Sequence, residues 1–213
     1  MNNLLKRILS SIILLPFIFY LLFKGSYILI LFTFILFFVA CYEWHSISNN
    51  IFLKIFGYIF LILSFYSFYQ ISLDKTFVFF VIIICVATDV GGYFFGRILK
   101  GPKLTKISPK KTYNGVIGGY FLSLVSFLII INSSDYFNAS IKYFLLIFII
   151  STVSQIGDII ISYFKRLSNI KDTGKIIPGH GGLLDRIDGM IFVFPIVYFI
   201  NFFVNLTVWK KKL

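Results

Sequence analysis

Residues 157–189 read GDIIISYFKRLSNIKDTGKIIPGHGGLLDRIDG, a polar stretch in a chain that is otherwise mostly apolar. The stretch holds four of the eight acidic residues of the chain and five of its twenty basic residues. His180, one of the two histidines, stands between glycines. The whole chain of 213 residues is 59% hydrophobic, with a mean hydropathy of +0.93. We therefore expect the chemistry of the protein to lie in this stretch.

The apolar runs on either side of this stretch indicate the fold class. Runs of about 20 apolar residues with few charges are typical of membrane helices. We predict an all-α, polytopic membrane helix bundle with about seven transmembrane helices, in a range of six to eight. The predicted helices cover residues 8–23, 26–44, 51–69, 76–95, 116–131, 143–164 and 187–208. The first run resembles a signal peptide, but no small-residue cleavage site follows it, so we expect an uncleaved helix.

The net charge of +12 gathers in short segments between the apolar runs. In a membrane protein, basic segments indicate orientation and contact with anionic headgroups, so no nucleic acid partner is expected. With the N-terminus inside, 14 of the 20 basic residues fall on the cytoplasmic side. Cys41 and Cys85 lie in apolar runs and indicate no disulfide framework. Trp44, which ends the second predicted helix, is interpreted as an interfacial anchor.

The chain is divided into two predicted parts. Residues 1–75 form N-terminal transmembrane helices that support the lipid side, and residues 76–213 form a catalytic transmembrane domain. The catalytic part carries two polar loops, 97–115 and 165–188. Two helices separate these loops, so both are predicted to face the same side of the membrane, the cytoplasmic one.

Two predicted helices carry an acidic residue on a polar face. In the sixth, the face consists of Ser151, Ser154, Asp158, Ser162 and Lys165. An ionisable group within a membrane helix is costly unless it faces protein, water or an ion, so Asp158 is predicted to point inward. In the fourth helix Asp89 shares a face with Cys85, Gly92, Tyr93 and Gly96, and Arg97 lies just beyond. For Asp158 the alternatives are a structural polar stripe that joins helices, or an aspartate paired with a lysine. For Asp89 the alternative is close helix packing through the glycines.

The polar loops suggest a phosphate ligand and a metal ion. Residues 108–112 read SPKKT before a predicted helix, which suits either a phosphate cradle or a loop that holds lipid headgroups. Residues 178–182 read PGHGG, and their glycines allow a ligand to approach the backbone. Asp185 and Asp188 lie on one face if that segment is helical. Carboxylates beside basic residues suit Mg²⁺ bound to a polyphosphate, whereas too few soft ligands are present for zinc.

These motifs resemble the phosphatidate cytidylyltransferase family, also called CDP-diacylglycerol synthases. The resemblance covers about residues 85–190 and is carried by 89–93 (DVGGY), 108–112 (SPKKT), 162–166 (SYFKR), 171–172 (KD), 178–182 (PGHGG) and 185–188 (DRID). Two positions depart from the family pattern: Asn114 stands where Glu is usual, and Gly92 where Ala is frequent. The N-terminal half is also shorter than is usual in the family.

The resemblance implies an integral membrane enzyme that makes CDP-diacylglycerol and pyrophosphate from CTP and phosphatidate. Its cofactor would be Mg²⁺, with room for a second cation, and its active site would face the cytoplasm at the inner membrane of a bacterium. Membrane lipid would be a further partner, and a homodimer is compatible with the sequence.

The family's metal-binding aspartates fall on Asp158 and on the pair Asp185 and Asp188, and we predict Asp158 and Asp185 as the ligands. The catalytic residues implied are Lys165, Arg166, Asp172, His180, Arg186 and Asp188. The substrate- and phosphate-binding residues implied are Asp89, Arg97, Ser108, Lys110, Lys111, Thr112, Ser162, Lys171, Gly181 and Gly182. Two other functions stay open on the residues alone: a cation-coupled transporter, which Asp89 and Asp158 would suit, and a CTP-using lipid-alcohol kinase.

Overall fold

A computed structural model describes residues 27–47, 50–105, 107–133, 136–174, 176 and 181–204, and these residues form a helical bundle. Within those ranges there is no β-strand, and one isolated bridge joins Lys103 to Thr112. The helices are α1 (Tyr27–Ile47), α2 (Ile51–Ser72), α3 (Lys75–Ile98), α4 (Tyr113–Ser133), α5 (Ile141–Leu167), α6 (Leu184–Ile187) and α7 (Met190–Val204). The predicted all-α fold is confirmed.

Five of these helices, α1 to α5, are long and apolar enough to cross a membrane. They contain 21 to 27 residues, and about 20 are needed to span the hydrocarbon core. The chain is therefore an integral membrane protein. The predicted helix at 8–23 lies outside the described residues, as does the end of the last predicted helix.

The last predicted helix, 187–208, begins later than expected. A single helical turn, α6, comes first, and the chain then turns at Asp188 and Gly189 before α7. Gly189 packs directly on α5: a Cβ there would lie 2.8 Å from the carbonyl oxygen of Ser154. This contact with a neighbouring backbone leaves no room for a side chain.

Short connections make consecutive helices antiparallel. Asn50 caps α2 by accepting a hydrogen bond from the backbone N–H of Phe52 (2.9 Å), and Asp74 caps α3 through Phe77 N–H (3.0 Å). The described residues that follow α1, α3 and α5 (50, 99–105, 107–112, 168–174, 176 and 181–183) consequently lie at one end of the bundle. Those that follow α2 and α4 (73–74 and 136–140) lie at the other. Lys111 in the second connection contacts Asp158 near the end of α5. The prediction that the two polar loops share one face is therefore confirmed.

Glycines bring α3 and α4 together backbone to backbone. A Cβ at Gly115 would lie 2.7 Å from the carbonyl oxygen of Gly92. One at Gly118 would collide with the side chain of Phe95. The prediction that the glycines after Asp89 allow another backbone to approach closely is confirmed. The packing places Asp89 beside the loop that carries Lys111.

We expect Gly118→Leu to separate α3 from α4. Forcing a side chain into a closed contact costs about 1–3 kcal/mol or more, so less of the protein should fold. The measurement is the midpoint of thermal unfolding in detergent, followed by size-exclusion chromatography. Ile117→Leu is the matched control, because the neighbouring Ile117 is 65% exposed. Equal midpoints for the two variants would contradict the proposed packing.

Candidate active site

Asp158 lies on the inward face of α5 and forms an ion pair with Lys111. Lys111 Nζ is 2.5 Å from Asp158 Oδ2, and the two side chains are 24% and 31% exposed. Lys111 Nζ also donates to the carbonyl oxygen of Gln155 (3.4 Å), and Ser162 Oγ donates to Asp158 Oδ1 (3.3 Å). The pair is therefore held in place by α5 and yet accessible from outside. The prediction that Asp158 points inward is confirmed.

The rest of the predicted polar face also points into the protein. Ser151 and Ser154 are fully buried, and Lys165 is 8% exposed. Ser151 donates to Ser123 (3.0 Å) and is bonded to Thr88 (2.9 Å), so part of the face joins α3, α4 and α5. The structural alternatives for this face are therefore confirmed in part: Ser151 connects helices, and Asp158 is paired with a lysine. Asp158 is also partly accessible, so a functional role for it stays a prediction.

Asp188 and Asp89 bring two more carboxylates to Asp158. The Asp188 carboxyl lies close enough to Asp158 to interact with its charge, and it accepts from Gly189 N–H (2.9 Å). Burial raises the pKa of Asp188 well above its usual range, and the negative charges of Asp158 and Asp89 raise it further. Asp89 is exposed and lies close enough to Asp158 and Lys111 to interact with their charges. Three carboxyl groups thus lie near one another, with Lys111 paired to Asp158 and Lys165 near enough to Asp188 to lower its pKa in part.

This group of carboxyls fits a magnesium ion that shares its coordination with a phosphate ligand. Among the described residues, no three His, Cys, Asp or Glu side chains stand close enough to hold a metal by themselves. Mg²⁺ does not require that, because it keeps several waters and is usually bound by one or two carboxylates together with substrate phosphates. The oxygen donors of Asp158 and Asp188, the excess of negative charge and the open position all suit such an ion.

Asp185 belongs to a second, buried group. Lys165 Nζ is 2.8 Å from Asp185 Oδ1, and the side chains are 11% and 7% exposed. Asp185 Oδ2 accepts from the backbone N–H groups of Thr173 (2.8 Å) and Gly182 (3.0 Å). Burial alone would raise the pKa of Asp185, but the hydrogen bonds from Lys165, Gly182 and Thr173 outweigh it and hold the pKa below its usual range. The assignment of Asp185 as a direct metal ligand stays a prediction.

Glu43 is the acidic residue that the sequence interpretation missed. It lies near the end of α1 and is 1% exposed. Its carboxylate accepts from Thr173 Oγ1 (3.0 Å) and from the backbone N–H groups of Leu183 and Leu184 (2.8 Å each). A lone acid inside an apolar run is itself a signal of function or pairing, and it could have identified this residue.

The interpretation of Trp44 as an interfacial anchor is wrong. Its indole is 5% exposed and packs edge-on against Phe164, with the ring centroids 5.3 Å apart. Gly57 of α2 leaves space for the ring, because a Cβ there would overlap it. Trp44 therefore fastens α1 to α2 and α5, and it places the neighbouring Glu43 inside the protein.

The remaining predicted residues are spread around these two groups. Thr112 Oγ1 accepts from Gly115 N–H (3.1 Å) and so caps α4. Arg97 donates to Tyr93 Oη (2.8 Å), and Arg166 donates to the carbonyl oxygen of Ile170 (3.3 Å), each at its own helix end. Exposed or half-buried positions in the two loops are occupied by Ser108, Lys110, Lys171, Asp172 and Arg186.

The glycine motif is described only in part. Gly181 has a positive φ of 87°, a conformation that favours glycine, and it lies beside Asp172 and Asp185. Gly182 is buried between Thr173 and Glu43, where a Cβ would lie 2.5 Å from Glu43 Oε2. His180 lies outside the described residues, as do the prolyl and glycyl residues before it.

The chain is similar in sequence to phosphatidate cytidylyltransferases. A phosphatidate cytidylyltransferase of Rickettsia bellii (strain RML369-C) is 43% identical over 122 residues, which are 54% of this chain and 53% of the relative. One of Staphylococcus haemolyticus (strain JCSC1435) is 46% identical over 112 residues, 52% of this chain and 43% of the relative. The chain spans about half the length of the curated relatives it matches. The sequence profile of the cytidylyltransferase family matches residues 48–204, which is more than half of the chain. The chain belongs to the cytidylyltransferase family.

Proposed function

We propose that the protein is an integral-membrane nucleotidyltransferase that makes CDP-diacylglycerol and pyrophosphate from CTP and phosphatidate. The observation that carries the proposal is the partly accessible Asp158, paired with Lys111 and close to Asp89 and Asp188, at one end of the bundle. The names of the relatives support the choice of reaction and substrates. A site at the membrane surface suits a soluble nucleotide and a lipid headgroup, since both can reach it.

The reaction places few demands on acid–base chemistry. The phosphate of phosphatidate forms a bond to the α-phosphorus of CTP, the bond from that phosphorus to the bridging oxygen breaks, and pyrophosphate leaves. The nucleophile is already an anion, so a strong general base is unnecessary. What the protein must supply is positioning and neutralisation of phosphate charge. Lys111 would contact phosphate oxygens directly, and the exposed Lys110, Lys171 and Arg186 would draw the two anions to the same face.

Mg²⁺ is the cofactor that we propose, held by Asp158 and Asp188 with Asp89 nearby. When bound, the ion would neutralise the negative charge of the nucleotide phosphates and of the departing pyrophosphate. Without a cation, burial raises the pKa of Asp188, and the negative charge of Asp158 raises it further. We also propose that this face is the cytoplasmic face of a bacterial inner membrane, on the basis of the excess of basic residues there.

The purified protein should form CDP-diacylglycerol in mixed micelles that contain labelled CTP, phosphatidate and Mg²⁺. The product should disappear when EDTA removes the metal and return when Mg²⁺ is added in excess. Thin-layer chromatography of the labelled lipid is the measurement. Folded protein that forms no product from CTP would overturn the proposed reaction, and product that persists in EDTA would overturn the metal requirement.

Two variants should separate the open group from the buried one. Asp158→Asn should lower the rate of transfer by about 10²–10³, because it removes a charge at the reacting phosphates, and should leave the unfolding midpoint near that of the wild type. Asp185→Asn should abolish transfer. In addition it should lower the unfolding midpoint, because Lys165 would remain buried without its partner, at a cost on the order of 3–5 kcal/mol.

The control for these variants is Asp74→Asn, which alters an acid at the opposite end of the bundle. It should keep the transfer rate per folded molecule. Wild-type rates in Asp158→Asn would refute the assignment of that residue, and an unchanged midpoint in Asp185→Asn would refute the structural part of the Asp185 assignment.

A further inference from the structure

Glu43 is almost completely buried, and its hydrogen bonds cross the chain to residues 130 to 141 positions away. A buried carboxylate is stable only when hydrogen bonds replace its hydration. Here both oxygens have partners. Oε1 accepts from Leu183 N–H, and Oε2 accepts from Leu184 N–H and Thr173 Oγ1. The partners lie where the polar segment after α5 returns to the bundle. We call residues 173 and 182–184, which meet there, the crossing, and Glu43 holds them together.

A second carboxylate holds the same crossing from the other direction. Asp185 accepts from the backbone N–H groups of Thr173 and Gly182. Glu43 accepts from the backbone N–H groups of Leu183 and Leu184. Four backbone donors that have no partner in a helix or sheet are therefore satisfied by two side chains. Glu43 also packs against Gly174 and Gly182, where a Cβ would lie 2.7 Å and 2.5 Å from its oxygens.

The crossing leads directly into the open group of carboxyls. The single turn of α6 connects Leu184, whose backbone N–H donates to Glu43, to Asp188, which lies close enough to Asp158 to interact with its charge. Leu183 and Leu184 are themselves buried in the cluster that includes Trp44 and Ile161. A displacement of the 183–184 backbone would thus move Asp188 relative to Asp158. Shifts of about 1 Å at a reacting centre can lower rates by about a hundredfold.

We propose that Glu43 is a positioning residue for the proposed transfer: it holds the backbone at 182–184 so that Asp188 faces Asp158 across the metal and nucleotide site. Glu43 touches neither substrate nor metal in this role. The inference rests on the proposed function for its kinetic consequences, but the restraint on the loop is independent of it.

The substitutions Glu43→Gln and Thr173→Val test the proposal at two levels. In Glu43→Gln the NH₂ group of the amide would face the backbone N–H of Leu183 or Leu184, and two donors cannot bond each other. At least one of these hydrogen bonds would therefore be lost, with little change of side-chain volume. Thr173→Val removes one hydrogen bond to Glu43 and keeps the branched shape. Asp74→Asn is the matched control: this acid caps α3 at the opposite end of the bundle and accepts a hydrogen bond from Tyr136.

We expect Glu43→Gln to lower kcat at least about tenfold and to raise, severalfold, the CTP and Mg²⁺ concentrations that give half-maximal rate. Thr173→Val should change the same quantities in the same direction by less. Asp74→Asn should lower the unfolding midpoint but keep KM for CTP and the Mg²⁺ dependence. A residue that acted on stability alone would leave these two concentration dependences unchanged, which is why they are the decisive readouts.

Limited trypsin digestion gives a readout that does not depend on catalysis. Lys171 is exposed and lies two residues before Thr173. Without substrate, Glu43→Gln should be cut after Lys171 several times faster than wild type, and Asp74→Asn should not. Unchanged cleavage in Glu43→Gln overturns the restraint, and unchanged CTP and Mg²⁺ dependence overturns the positioning role. If wild-type protein forms no product, the proposed function fails, and faster cleavage still supports the restraint.

Discussion

The cost of placing carboxylates in an apolar helix bundle governs how this protein is built. Each buried acid that the structure describes is matched with donors: Glu43 with two backbone N–H groups and a hydroxyl, and Asp185 with Lys165 and two backbone N–H groups. These matches bring α1, the end of α5 and the segment before α7 to one place. Asp158, whose side chain is 31% exposed beside Lys111, and Asp89 are the accessible acids, and burial raises the pKa of the neighbouring Asp188. The chain satisfies its structural carboxylates with donors and keeps Asp158 within reach of solvent.

This division explains why basic residues at the same end differ in their surroundings. Lys165 is buried and bonded to a buried partner, so its contribution is to hold the polar segment in shape. Lys111 is accessible. It lies in the connection before α4 and forms an ion pair with Asp158 of α5, so its ammonium group can still contact a phosphate. Arg166 bonds the backbone at the end of its own helix. Charge alone does not distinguish these residues, but burial and partners do.

Much of the fold could be predicted from the sequence, because it depends on local patterns. Apolar runs of sufficient length define the membrane helices, and the spacing of Ser154, Asp158 and Ser162 defines the inward face of α5. The alternation of helices is enough to put both polar loops on one face. These features follow from periodicity and chain connectivity, and both can be read along a single chain.

The site was only partly predictable, because its key contacts are made by residues far apart in sequence. No periodicity relates Glu43 to Leu183, so its partners could not be anticipated. The spacing of Asp185 and Asp188 could not give their partners either, since Asp185 bonds Lys165 and two backbone N–H groups from other parts of the chain, and Asp188 lies near Asp158. Trp44 is of a residue type, and at a helix end, typical of interfacial anchors. It is buried because Gly57 on the neighbouring helix has no side chain where the indole ring lies. In each case a neighbour across the fold decides the outcome.

The contact of Glu43 with Leu183 and Leu184 also bears on how the two parts of such a protein diverge. Residues 1–75 and 76–213 are separable as stretches of sequence, but Glu43 lies in one and its partners in the other, and Ser64 donates across the same division to Ile191 (2.7 Å). A change at one side of these contacts is tolerated only with a compatible residue on the other. An N-terminal half exchanged between relatives would therefore have to supply an acid near the end of α1, whatever residues face the lipid on that helix.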